Sequence, residues 1–131
     1  MTATLDAPVL RHDDGRGLAT LTLNRPQAFN ALGEEMLASL RLHLDALAQD
    51  DAVRVVVIAA AGKAFCAGHD LKEMLAQPRL EYYQGLFARC GEVMMAVQKL
   101  PVPVIAKVHG IATAAGCQLV AQCDLAVASS Q

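Results

Sequence analysis

Hydrophobic and polar positions change their period several times along the chain, and each change marks an element. Val9–Leu10 and Leu18 to Leu23 flank Asp13-Asp14-Gly15, a turn signal between two apolar runs, and predict a hairpin. Within the second run Thr20 and Thr22 alternate with Leu21 and Leu23, as on a strand with one wetter face. Asn24-Arg25-Pro26 ends it. Leu37, Leu40, Leu44 and Leu47 then recur at helical spacing and predict an amphipathic helix from about Gly33 to Gln49. Val53 to Ala60 is an almost unbroken β-branched run, which predicts a strand covered on both faces.

The remaining stretch follows the same alternation. Gly62 to Gly68 reads as loop. Asp70 with Glu73 three positions later resembles a capping box opening a short helix over Leu71 to Leu75, which Pro78 interrupts. A longer helix from about Leu80 to Leu100 is expected to bury Tyr82, Leu86, Val93 and Val97, with Pro101 stopping it. Val104 to Val108 predicts a second buried strand, Ala114 to Gln122 a helix of small residues, and Leu125 to Ala128 a third strand. Strands alternating with helices indicate an α/β fold with βα crossovers. A strand that begins so close to Gln131 leaves an apolar sheet edge, a liability that folds normally cover. The chain is therefore expected to be part of a larger domain.

Composition narrows the function classes. The 131 residues are 54% hydrophobic, 18% charged and 4% aromatic, with no Trp and a formal charge of −2. A pI near 6.0 and the absence of a basic stripe argue against nucleic acid as a partner. No uninterrupted apolar run is long enough for a membrane span. The N-terminal stretch, with Asp6, Asp13 and Asp14, reads as neither a secretory signal nor a transit peptide. Cys66, Cys90, Cys117 and Cys123 are irregularly spaced in apolar surroundings and read as reduced thiols. A cytoplasmic protein is expected.

Candidate chemistry lies in two turns, Ala64 to Met74 (AFCAGHDLKEM) and Ala112 to Gln118 (ATAAGCQ). Each places small residues just ahead of a helix start, where backbone N–H groups lack intrahelical acceptors. Two such donors aimed at one carbonyl oxygen would form an oxyanion hole, with the N–H of His69 and of Ala115 as the candidates. Taken singly, each turn also fits a plainer role. Cys66 to His69 suits a tight βα loop, and Ala112 to Gly116 suits close helix–sheet packing. Asp70 suits a helix N-cap. Gln118, one helical turn after Ala115, is either a hydrogen-bonding helix residue or a group facing the same pocket. It stands where a carboxylate would be expected beside the second donor, and an amide cannot exchange protons. His12, His43 and His109 read as isolated.

Metal and nucleotide sites find little support. Cys66 with His69, and Cys117 with Cys123, match no paired-ligand spacing, so no metal is expected. The chain has no Walker lysine motif and no Gly-x-Gly-x-x-Gly following a strand.

From about Leu18 onward the chain resembles the N-terminal half of enoyl-CoA hydratase/isomerase (crotonase) family members. The resemblance rests on LNRPQAFNAL (Leu23 to Leu32), VRVVVIAAAGKAFCAGHDLKEM (Val53 to Met74) and PVPVIAKVHGIATAAGCQLVAQCDLAVAS (Pro101 to Ser129). The wording around GHDLKE and ATAAGCQL stands nearest to one branch, the enoyl-CoA hydratase domain-containing protein 3 group. The resemblance implies an α/β, crotonase-like spiral of ββα units, with residues 1–131 forming the N-terminal part of one such domain. It implies an acyl-CoA or enoyl-CoA thioester substrate of fatty-acid metabolism and lyase or isomerase chemistry. CoA would arrive as part of the substrate, and no separate cofactor is expected.

By the same carry-over, the thioester oxygen would meet the N–H groups of His69 and Ala115. Ala67, Gly68, His69, Asp70, Leu71 and Lys72 would border the thioester and nearby CoA, and Ala28 and Ala31 the pantetheine path. Trimers, often paired into hexamers, are implied for the full-length protein. Gln118 departs from the family's hydratases, which carry a glutamate there. A second carboxylate would lie beyond Gln131, so little turnover is expected of residues 1–131 by themselves. The alternative is a non-catalytic acyl-CoA binding or assembly module of the same fold.

Overall fold

A computed structural model describes residues 3–130. The hairpin forms as its pattern predicts: β1 (Val9–Asp13) pairs antiparallel with β2 (Leu18–Leu23), with Leu10 opposite Thr22 and His12 opposite Thr20. The Asp14 carboxylate accepts from the N–H of Arg16 and of Leu18 and so holds the turn. β3 (Val55–Ala60), β4 (Val104–Val108) and β5 (Leu125–Ala128) then add in parallel, giving one sheet in the order β1-β2-β3-β4-β5. The crossovers carry α1 (Glu34–Ala48), α2 (Leu71–Ala76) with α3 (Leu80–Gln98), and α4 (Ala115–Gln122).

Because the parallel strands are added in one direction, right-handed crossovers place their helices on the same side of the sheet. The core reflects this. Ala19, Leu21 and Leu23 of β2, Val56 and Ile58 of β3 and Val104 of β4 are buried together with Leu37, Leu40, Leu44 and Leu47 of α1. Leu86, Val93 and Val97 of α3 and Leu119 of α4 complete the same cluster.

Among the described residues the strands are covered on one face only, not on both as their apolar runs predict. Val55 and Val57 of β3 and Ile105 of β4 are only half-buried. Leu125 and Val127 of the edge strand β5 are 63% and 62% exposed. An apolar run shows that a strand favours the sheet, but the direction of the crossovers decides which face is covered. Tyr82, expected in the core, is likewise only half-buried.

Helix starts differ from expectation at one point. Asp70 does cap α2, its carboxylate accepting from the N–H of Lys72 and of Glu73 at 3.0 and 3.2 Å. Glu73, however, does not close a capping box on Asp70. Its carboxylate accepts instead from the N–H of Glu34, at 3.0 Å, in the first turn of α1. The N-cap of α1 is Gly33, which has no side chain to perform that task. A Cβ on Gly33 would lie 2.7 Å from the Glu73 carboxylate, so the missing side chain makes room for the distant cap. An anion at a helix N-terminus also meets the favourable end of the helix dipole. α2 is thereby docked onto α1.

Candidate functional site

Three loops leave the C-terminal ends of β2, β3 and β4 side by side, and the middle one is bonded to both neighbours. On one side the Ala67 N–H donates to the Phe29 carbonyl at 3.0 Å and the Leu32 N–H to the Gly68 carbonyl at 2.6 Å. On the other, the N–H groups of Phe65 and Cys66 donate to the Ile111 carbonyl at 2.8 and 3.1 Å, and the Thr113 N–H to the Cys66 carbonyl at 3.1 Å.

Asn30 holds the first of these junctions. It is fully buried and adopts φ +54°, a left-handed conformation that asparagine tolerates better than most residues. Its Oδ1 accepts from the Arg25 N–H at 2.8 Å, and its Nδ2 donates to the carbonyls of Ala61 and Ala64 at 2.9 and 3.0 Å. The Cys66 thiol donates to the Asn30 carbonyl, and burial pushes that thiol's pKa up to about 11. Cys66 is therefore an inert packing group rather than a nucleophile.

Two glycines allow the second junction. A Cβ on Gly68, which has φ +92°, would lie 3.1 Å from the Ala114 Cβ and 3.2 Å from the Ala115 nitrogen. A Cβ on Gly116 would overlap the Cys66 carbonyl. The two turns singled out from the sequence thus lie backbone against backbone. Ala114, the N-cap of α4, takes φ +52° and ψ −125°, a strained conformation for a residue with a Cβ. It leads into Ala115, the first residue of α4, whose N–H has no intrahelical acceptor.

Among the described residues, neither the Ala115 N–H nor the His69 N–H makes a backbone hydrogen bond. Two unpaired donors on touching loops are suited to hold one oxygen atom that carries negative charge.

Side chains complete the description. The His69 ring lies 4.9 Å from the Phe87 ring, with its Nδ1 buried and unpartnered among the described residues, and burial lowers its pKa. Gln118 stands exposed on α4 with no side-chain partner among the described residues. Ala28, Ala31 and Asp70 line one hollow of about 110 Å³ together with Arg25 and Glu73. Arg25 there is paired with Glu35 at 2.7 Å. Ala67 is half-buried, whereas Leu71 and Lys72 are exposed on the first turn of α2. A larger hollow of about 510 Å³ lies on the outer side of α1 and α3, around Arg41 and Met95. It has no part in the loop junctions.

Sequence reasoning missed Asn30 and the reach of Glu73. The signal for Asn30 was a residue with both a donor and an acceptor, set in a loop between strand and helix.

Comparison with known proteins agrees with this architecture. A family model described as enoyl-CoA hydratase/isomerase matches residues 13–131. The chain is 48% identical over 115 residues to enoyl-CoA hydratase domain-containing protein 3, mitochondrial, of Xenopus laevis, covering 88% of this chain and 39% of that protein. A crystal structure of an enoyl-CoA hydratase from Mycobacterium smegmatis is 69% identical with a TM-score of 0.91, over 92% of this chain and 47% of that one. The human enoyl-CoA hydratase domain-containing protein 3 structure is 42% identical with a TM-score of 0.87, again over 92% and 47%. The chain spans less than half the length of these relatives.

Proposed function

The chain belongs to the enoyl-CoA hydratase/isomerase family and has a crotonase-like fold, and we propose that it forms the thioester-binding part of an acyl-CoA enzyme. In this reading the thioester oxygen accepts hydrogen bonds from the N–H groups of His69 and Ala115. The two donors stabilise the enolate that forms when a proton leaves the α-carbon. The observation that carries the reading is the meeting of the two turns at Gly68 and Ala115, with both N–H groups left without backbone acceptors among the described residues. Each such donor contributes about 3–4 kcal/mol to a developing oxyanion.

The CoA arm is assigned to the borders of the same loops. Ala67, Gly68, His69, Asp70, Leu71 and Lys72 flank the thioester, and Ala28 and Ala31 line the pantetheine path. CoA is part of the substrate, so the proposal includes no separate cofactor. Residues 1–131 are proposed as the N-terminal part of one domain, with the remaining wall of the pocket and a trimeric assembly contributed by further sequence. No helix among the described residues is long and apolar enough to cross a membrane. A cytoplasmic location is proposed, on the acidic N-terminal stretch that resembles neither a secretory signal nor a transit peptide. The names of the vertebrate relatives carry the word mitochondrial.

Gln118 determines the reaction class. Its amide can orient a water molecule by hydrogen bonds but has no proton to exchange near neutral pH. Hydration that needs two carboxylates is therefore disfavoured, while a one-base isomerisation of the double bond remains consistent with the site. The same residue favours a second reading, a module that binds acyl-CoA without turning it over.

The Gln118→Glu variant of the full-length protein separates the two, with crotonyl-CoA hydration as the assay. A strong rise above the parent rate supports an enzyme site lacking one proton carrier. A rate that stays at background supports the binding module.

A further inference from the structure

The geometry points to a substrate-binding role for the His69 side chain: its imidazole is a fixed neutral donor whose Nε2–H bonds an oxygen on the acyl chain, so that 3-oxygenated acyl groups are preferred over plain ones. This rests on the thioester reading above, which uses only the backbone N–H of the same residue.

The state of the ring follows from its surroundings. Nδ1 is buried with no partner, and Nε2 has no hydrogen-bond partner and does not share that full burial, both among the described residues. A buried N–H without an acceptor costs more than a buried lone pair, and orphaned buried N–H groups are correspondingly rare. The proton of the neutral ring is therefore on Nε2, the nitrogen left open to a ligand. Protonating the ring would bury an unpaired N–H at Nδ1, which agrees with the direction in which burial moves its pKa.

The position of the ring selects the ligand atom. The imidazole branches from the Cα next to Gly68, where the two turns touch. It can therefore reach atoms within a few bonds of a thioester carbon held there. Its neighbour on α3 is Phe87, an apolar ring that is itself 48% exposed. A single donor beside an apolar wall suits an acyl chain with one oxygen substituent, rather than the charged nucleotide end of CoA. A site built to bond such an oxygen discriminates against the analogue that lacks it.

The test compares calorimetric affinities of 3-hydroxybutyryl-CoA and butyryl-CoA in the full-length protein. One added neutral hydrogen bond predicts a preference of roughly fivefold for the hydroxy thioester. In His69→Phe that preference is expected to vanish, and in His69→Gln, whose amide still donates, part of it should return. Substitution leaves the backbone N–H in place, so the ratio of the two affinities reports on the side chain. A ratio in His69→Phe equal to the parent's overturns the proposal.

Nitrogen-15 NMR of the unsubstituted protein provides a measurement that needs no variant to fold. A proton found on Nδ1 overturns the proposal, and one found on Nε2 supports it. If the parent binds neither thioester, the thioester reading fails together with the substrate role. The NMR result would still separate that failure from a wrong assignment of the ring.

Discussion

Asn30→Ala should be among the most destabilising single changes in the chain, and its cost can be worked from the structure. The side chain satisfies the Arg25 N–H and the carbonyls of Ala61 and Ala64 at 2.8 to 3.0 Å, and Asn30 is fully buried. Each bond contributes on the order of 1 kcal/mol, and a buried group left unpaired costs at least as much. Alanine at φ +54° adds about 1 kcal/mol of backbone strain. The sum is about 4 kcal/mol, a large share of the roughly 5–15 kcal/mol by which folded domains are typically stable. Urea unfolding of the full-length protein should show it as a lower midpoint with an unchanged slope.

Two further variants separate the contributions. Asn30→Gly removes the strain but not the lost bonds, so it should recover about 1 kcal/mol relative to alanine. Asn30→Asp retains the acceptor for Arg25 but turns a carboxylate oxygen toward two carbonyls, and should be worse than alanine at neutral pH. A loss below about 1 kcal/mol for Asn30→Ala would mean that these three groups readily find other partners and that Asn30 does not hold the junction.

Two other predictions concern the same loops. Ala114→Gly removes a Cβ from φ +52° and ψ −125° and should raise the melting temperature, by an amount corresponding to roughly 1 kcal/mol after the entropy of the added glycine. A fall on thermal melting would show that Ala114 is not strained. Burial lowers the His69 pKa, so the unfolded chain binds the extra proton first as the pH falls. The stability due to a neutral ring is complete above the unfolded value near 6.5 and is lost on acidification through the folded one. Between pH 7.5 and 5.5 the urea midpoint should therefore fall more for the parent protein than for His69→Gln. Hydrogen bonds hold the carboxylates of Asp13, Asp14 and Asp50 below the usual carboxylate range, so they do not titrate in that window. Equal losses in the two proteins would contradict the burial of Nδ1.

The parts of the fold legible in the sequence were those fixed by neighbours along the chain. Leu37, Leu40, Leu44 and Leu47 define the buried stripe of α1, and β4 and β5 begin and end where their apolar runs do. The turn signals at Gly68 and Ala112 to Gly116 were legible because small residues ahead of a helix are informative in themselves. What could not be read depends on contacts between distant segments. Val55 and Val57 are as apolar as Val56 and Ile58, so only the crossover direction tells which of the two faces α1, α3 and α4 cover. Glu73 looks like half of a local capping box, yet its partner is Glu34, 39 positions earlier. Asn30 reads as a loop residue until the carbonyls of Ala61 and Ala64 close over it.

The most direct test of the two-donor oxygen site is amide NMR of the full-length protein with butyryl-CoA and with its thioether analogue, which lacks the carbonyl oxygen. The His69 and Ala115 amide protons are both expected to move downfield with the thioester and to do so much less with the thioether. Equal shifts with the two ligands, or a response from neither amide, would contradict the claim that these two donors hold a thioester oxygen.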